Sequence, residues 1–266
     1  MNLLITDIDC TLSVGETVSK EVISACRTLS DNGWQIMIAT GRTLQSCISH
    51  IRQISAIDTA IVYDGARVMN AASGGEILGF ELSRGDALEI IELSWESDLE
   101  IQITGDERIF CRASDADTID FCQKTGLLFG IINSPVIESK VYRVSFWGEQ
   151  NSIRAFELVF EKHFSERLNI TRGGDNFLDV LPRGISKGYA LEQIIKGRYV
   201  EAPGLIVAAG DHMNDFELLS YADIAAVPHD CAPEVLKLAD IIMPSALNHG
   251  FCFLAKTLVN KAIICR

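Results

Sequence analysis

Two carboxylates, Asp7 and Asp9, stand two residues apart near the start of the chain, in Asp7-Ile8-Asp9-Cys10-Thr11-Leu12. In an extended segment residues i and i+2 return to one side. A carboxylate is a competent nucleophile toward phosphorus once the target's negative charge is neutralised, and water can open the acyl phosphate it forms. Asp7 is the candidate nucleophile. Asp9 is the candidate acid and base, placed to protonate a leaving alcohol and then to deprotonate the water. Three more clusters supply the remaining needs of such chemistry. Thr40, Gly41 and Arg42, together with Lys187, are candidates to hold phosphoryl oxygens. A hard cation such as Mg²⁺ takes oxygen ligands, and Asp7, Asp9 through its backbone carbonyl, and Asp211 form the candidate set. Phosphoryl transfer is mostly positioning and charge neutralisation, so this inventory is nearly sufficient.

Each cluster alone has a plainer reading. Asp-x-Asp after a strand serves as a turn or cap, Thr-Gly-Arg as a strand-to-helix turn, and a Lys beside an N-cap Ser as a solvated charge. Asn214 or Asp215 equally suits capping of the helix that follows. What these readings leave unexplained is position, since all four clusters fall at the ends of apolar strands or the start of a helix.

The elements that must deliver them show in the hydrophobic pattern. Leu3 to Ile5 is a short, wholly apolar run, as expected of a strand covered on both faces. Val18, Val22, Ala25, Cys26 and Leu29 then recur at helical spacing, with Ser19 as N-cap and Gly33 as the stop. A strand over Ile36 to Ala39, a helix carrying Leu44, Cys47, Ile48 and Ile51, and a strand over Ala60 to Tyr63 complete a β-α-β-α-β series. Such crossovers build a sheet with helices on both faces, whose ligands bind beyond the carboxyl ends of the strands.

The order changes near Gly74 and Gly75. Helices around Ala87 to Leu93, Ile119 to Cys122 and Phe156 to Phe160 mingle with strands at Ile101 to Thr104, Ile109 to Cys111, Val141 to Trp147 and Phe177 to Leu181. Beyond Pro182 the first pattern resumes with a helix from Ser186, a strand over Leu205 to Ala209, and a helix with Leu218 and Leu219. Strands at Ile224 to Val227 and Ile241 to Met243 then flank a helix opened by Pro233. The fold class expected is α/β: a Rossmann-like, doubly wound parallel sheet formed by residues 1–79 and 182–266, with an inserted α+β domain over 80–181.

Composition narrows the function. The net charge of −13 in 266 residues argues against nucleic acid, whose backbone demands clustered Lys and Arg. A small anion is still admissible, because a metal ion and a few local cations reverse the field inside a cleft. No apolar run approaches the roughly 18 residues that span a bilayer, and the N-terminus lacks the pattern of an export signal. A cytoplasmic location with no membrane partner is expected. Cys10, Cys26, Cys47, Cys111, Cys122, Cys231, Cys252 and Cys265 show no paired spacing and read as reduced thiols.

Asp7-x-Asp9-x-Thr11, Thr40-Gly41-Arg42, Ser186-Lys187-Gly188 and Gly210-Asp211-x-x-Asn214-Asp215, in this order, resemble the four motifs of the haloacid dehalogenase superfamily. The position of the insert, between the second and third motifs, is similar to that of the C2-type cap in the Cof-like branch, subfamily IIB. The resemblance implies Asp7 as nucleophile, Asp9 as acid and base, Thr40 and Lys187 on the phosphoryl group, and Asp211 as a metal ligand. It implies that Asn214 and Asp215 position phosphate, metal waters or Lys187. The implied function is a Mg²⁺-dependent phosphatase of small phosphorylated metabolites, the alternatives being a phosphomutase on the same core or a non-catalytic binder. In such a layout the cap touches the rest of the substrate, for which Arg143 and Arg172 are candidates. Two residues depart from the pattern: Cys10 stands where relatives usually have Gly, and Asp64 in Asp64-Gly65-Ala66 stands where they commonly have Asn.

Overall fold

The computed structural model describes residues 1–260 apart from 55–56, 107, 113–114, 126, 136, 138–139 and 175, so Cys265 lies outside the described residues. The chain separates into two compact units, Met1–Leu78 with Ser186–Arg266, and Gly79–Ile185.

The first unit is built on one eight-stranded sheet. Strands β1 (Asn2–Thr6), β2 (Trp34–Ala39) and β3 (Ile57–Val62) run parallel, joined through α1 (Lys20–Asp31) and α2 (Leu44–Ile54). Ser19 caps α1, its hydroxyl accepting from the Val22 N–H, and Gly33 leaves it at φ 81°. After β3 the chain makes a 3₁₀ turn, Tyr63–Gly65, where a continued strand to Tyr63 was expected. It then forms two short strands, β4 (Arg67–Asn70), antiparallel to β3, and β5 (Glu76–Gly79), which is the edge of the sheet.

The second unit comes next in the chain and contributes α3 (Arg84–Trp95), β6 (Glu100–Thr104), β7 (Arg108–Arg112), α4 (Ala116–Thr125), β8 (Leu128–Ile132), β9 (Arg143–Trp147), α5 (Gln150–Phe164), β10 (Leu168–Gly174) and β11 (Phe177–Pro182). Its sheet has the order β10-β11-β9-β6-β7-β8, antiparallel except for the β7–β8 pair. Alternation sorts its faces. Ile101, Ile103, Val144, Phe146, Leu178 and Val180 pack with Ile90 and Ile91 of α3 and with Phe156 and Phe160 of α5 into one core. Gln102, Thr104, Arg143, Ser145 and Asp179 occupy the other face, also buried. There the Arg143 guanidinium pairs with Asp179 at 3.3 Å, while Arg172 on β10 pairs with Glu157 on α5.

The chain re-enters the first unit through α6 (Lys187–Lys196), β12 (Ile206–Ala209), α7 (Phe216–Tyr221), β13 (Ile224–Pro228), the short α8 (Pro233–Leu236), β14 (Ile241–Met243) and α9 (Gly250–Val259). The complete order is β14-β13-β12-β1-β2-β3-β4-β5. Strand β1 therefore lies between β2 and β12, with Thr6 in register with Ile38 on one side and Ala209 on the other. The succession of strands moves outward from β1 in one direction and from β12 in the other, so the gap between them is the topological switch point where such sheets bind ligands. No helix among the described residues is long and apolar enough to cross a membrane.

Candidate active site

Asp7 is the first residue beyond β1, and its N–H donates to the Ala209 carbonyl at 2.9 Å, which fixes it at the switch point. The chain then coils on itself. Leu12 and Ser13 N–H groups both donate to the Ile8 carbonyl, and Cys10 adopts φ 57°, the left-handed conformation that a Gly takes without strain. Thr11 Oγ1 donates to Asp211 Oδ1 at 3.1 Å, joining this loop to the one after β12.

Lys187 opens α6 behind Ser186, whose hydroxyl accepts from the Tyr189 N–H. Its ammonium is entirely buried and is shared between Asp7 Oδ1 at 2.8 Å and Asp215 Oδ1 at 2.7 Å. Burial by itself would push the lysine down, but Asp215 and Asp7 outweigh it and hold the group above its ordinary value. The other oxygen of Asp215 accepts from the N–H groups of Asp211 at 3.0 Å and His212 at 3.3 Å. Both Asp215 oxygens are thus engaged in shaping the loop and aiming Lys187. Gly210 has to be a glycine here, since a Cβ would come within 2.5 Å of Asp215.

Oxygens of Asp7, Asp211 and Asp215 converge to within 4.8 Å of one another. Burial, Asp215 and Asp211 raise Asp7 well above the usual carboxylate range against the pull of Lys187, and burial with Asp215 pushes Asp211 up to about 6. One ammonium does not balance this acidic cluster, and a hard cation that accepts oxygen donors fits it. Asp215 thus joins Asp7 and Asp211 among the converging carboxylates, while the Asp9 side chain, whose backbone carbonyl was the expected ligand, is engaged elsewhere. It is held by Arg42 in a two-pronged pair, Nε to Oδ2 at 2.8 Å and Nη2 to Oδ1 at 2.7 Å. The remaining arm of Arg42 reaches Glu16 at 2.9 Å. Glu16, which nothing in its polar, glycine-flanked surroundings marks in the sequence, is therefore part of the arrangement.

Thr40 is buried just past β2, its hydroxyl accepting from the Arg42 N–H at 3.1 Å. Asn214 donates through Nδ2 to the buried Asp64 at 2.9 Å. The four clusters that the sequence places at element ends are brought together in the first unit, with Asp64 and Glu16 added.

A family model described as haloacid dehalogenase-like hydrolase matches residues 4–253. The chain belongs to this family. Among its relatives, the HMP-PP phosphatase of Yersinia enterocolitica serotype O:8 is 23% identical over 86% of this chain and 84% of its own. A haloacid dehalogenase-like hydrolase from Bacillus subtilis superposes with a TM-score of 0.84 at 19% identity, covering 97% of this chain and 100% of its own. A sugar phosphatase of subclass IIB does so at 0.80 and 18%, covering 97% and 99%. A family hydrolase with this core sheet and an inserted mixed domain accounts for the order of elements along the whole chain.

Proposed function

We propose that this hydrolase is a phosphatase of small phosphorylated metabolites that forms an aspartyl phosphate on Asp7. The observation that carries the reading is the buried ammonium of Lys187 between Asp7 and Asp215, beside the convergent carboxylate of Asp211. The names of the relatives, an HMP-PP phosphatase and a sugar phosphatase, support the substrate class.

Lys187 occupies Asp7 Oδ1, so Oδ2 attacks phosphorus while the bond to the leaving oxygen breaks. Asp9 gives the leaving oxygen its proton, then takes one from the water that opens the acyl phosphate and releases inorganic phosphate. In the structure Asp9 is clasped by Arg42, and an arriving phosphoryl group competes for the same guanidinium, which frees Asp9 as substrate binds. Thr40, Gly41, Lys187 and Asn214 hold the phosphoryl oxygens, and Asp215 keeps Lys187 in place. A divalent cation such as Mg²⁺, held by Asp7, Asp211 and the Asp9 backbone carbonyl, would supply the charge that neutralises the phosphoryl oxygens.

A panel of phosphorylated metabolites assayed for release of inorganic phosphate tests the reading. Turnover is expected to disappear with chelator and to return with Mg²⁺. Transfer of the phosphoryl group to a second alcohol would make the protein a mutase, and full turnover in chelator would sink the metal assignment.

A further inference from the structure

The turn after β3 is tied to three parts of the site, and Asp64 stands at its centre. Tyr63 and Asp64 lie at φ 53° and 52°, followed by Gly65 at 104°. Two successive side-chain-bearing residues in the left-handed region are unfavourable on their own, so neighbours must hold them there. The Tyr63 N–H donates to the Arg42 carbonyl at 3.1 Å and the Asp64 N–H to the Thr40 carbonyl at 3.2 Å. Gly65 packs on the start of α6 so closely that a Cβ would lie 2.2 Å from the Ser186 carbonyl oxygen. The carboxylate of Asp64 is only 2% exposed, accepts from Asn214 Nδ2 at 2.9 Å, and overlies Gly41, where a Cβ would come within 3.0 Å of Oδ1.

None of the chemistry assigned above uses this carboxylate. Its distinguishing property is that, ionised, it has acceptors and no donor. An Asn at position 64 meets Asn214 in either of two ways, nitrogen to oxygen or oxygen to nitrogen, and both amides flip to match. Asp64 permits one of them. The Asn214 nitrogen must face it, which fixes the direction of that nitrogen's second N–H and of the carbonyl oxygen.

We propose that Asp64 is a positioning residue that locks the amide of Asn214 in a single orientation, so that Asn214 presents a donor of fixed direction to the phosphoryl group. What Asn214 touches rests on the phosphatase reading; the lock itself does not.

The test uses the full chain as wild type, Asp64→Asn, Asn214→Ala and the double variant. The side-chain amide of Asn214, assigned by its disappearance in Asn214→Ala, is followed by ¹⁵N-edited NMR without any substrate. One slowly exchanging pair of resonances is expected in the wild type, and doubled or exchange-broadened resonances in Asp64→Asn. With p-nitrophenyl phosphate and Mg²⁺, Asp64→Asn is expected to lower kcat about 10-fold, the scale of losing an orienting partner. Its effect on KM should be smaller, and in the Asn214→Ala background the same change should cost less than about 2-fold, because the two residues act as one unit. If Asp64→Asn does not fold, Asp64→Gly, which suits the left-handed backbone at φ 52°, removes the carboxylate altogether and should produce the same resonance doubling. A single, unshifted Asn214 amide in the folded variant, or equal losses in both backgrounds, overturns the lock. Absence of turnover on every ester in the wild type refutes the phosphatase reading, and the NMR comparison then still decides the lock.

Discussion

Asp7 and Asp9 are two residues apart yet sit in opposite surroundings, one buried against Lys187 and the other half-exposed in the grip of Arg42. The proposed mechanism gives them separable tasks. Asp7→Asn removes the nucleophile, so neither turnover nor phosphoenzyme is expected. Asp9→Asn keeps the nucleophile and loses the proton donor and later base, each typically worth about 10² to 10⁴ in rate. With a good leaving group, intact-mass measurement after rapid quench should find one added phosphoryl group in the Asp9 variant and none in the Asp7 variant. Equal residual activity without adduct in either would mean that water attacks directly. Asp211 yields a second expectation, about stability. Its folded value of about 6 lies above the ordinary 3.8, so between these values the metal-free folded chain holds a proton that the unfolded chain has lost. This contribution is complete below about pH 4 and is lost as pH rises through about 6. Asp211→Asn cannot lose it, and its metal-free stability relative to wild type should rise from pH 4 to pH 7 by on the order of 2 kcal/mol in urea titrations. A difference flat across that range would show that the surroundings do not penalise the charge. The sequence marks Asp7, Thr40 and Asp211 because polar residues stand out at the ends of apolar strands, and Lys187 because it opens a helix behind a capping Ser. It cannot mark the clasp of Arg42 on Asp9 and Glu16, or the bond from Asn214 to Asp64. Those depend on rotamers and on loops far apart in the chain, and local pattern carries neither.

At the scale of elements, the buried parallel strands and their helices were readable because burial on both faces leaves uninterrupted apolar runs and amphipathic periods. The elements that escaped are of other kinds. β4 and β5 are only four residues each, with β5 at the sheet edge, β8 exposes Leu128 and Ile131, and β10 holds Thr171, Arg172 and Gly174 around a bulge. In α9 the run Gly250-Phe251-Cys252-Phe253-Leu254-Ala255 is too uniformly apolar for its period to show. Arg143 was a candidate to touch substrate on its charge and position, but a strand's charge cannot reveal that Asp179 answers it from the next strand. Removing one member of such a buried pair strands the other, so Arg143→Ala should cost about 3–5 kcal/mol of stability in the unit that contains it. A closer constraint joins α6 to α7. A Cβ at Gly188 would come within 2.5 Å of the Glu217 carbonyl, backbone that has no rotamer to yield. Gly188→Ala must push the two helices apart, at about 1–3 kcal/mol for overpacking, and displace Lys187 beside it. Thermal unfolding and kcat should therefore fall together. A variant that melts earlier at unchanged kcat would show that the position of Lys187 tolerates the shift.

The whole molecule is one sheet-centred unit interrupted by another, and this was legible because the β-α alternation stops near Gly74 and resumes after Pro182. The structure gives each unit its own sheet, and the inserted one has its own core of Ile90, Ile101, Val144, Phe156 and their neighbours. All residues assigned to the reaction lie in the first unit. A ligand that binds only the folded form stabilises what it touches by RT ln(1 + [L]/Kd), about 2.7 kcal/mol at a hundredfold excess over Kd. The tryptophans divide conveniently, with Trp34 on β2 in the first unit and Trp95 and Trp147 in the second. Mg²⁺ with orthovanadate, a phosphoryl mimic, should raise the urea midpoint in a variant that keeps only Trp34, the others replaced by Phe. In the variant that keeps Trp95 and Trp147, with Trp34→Phe, the transition should stay where it was without ligand. If both reporters shift by the same amount, the units unfold as one cooperative block and the ligand's stabilisation is shared across the chain. If neither shifts while magnesium-dependent turnover persists, vanadate fails to occupy the site, and inorganic phosphate at high concentration becomes the probe with the same two reporters.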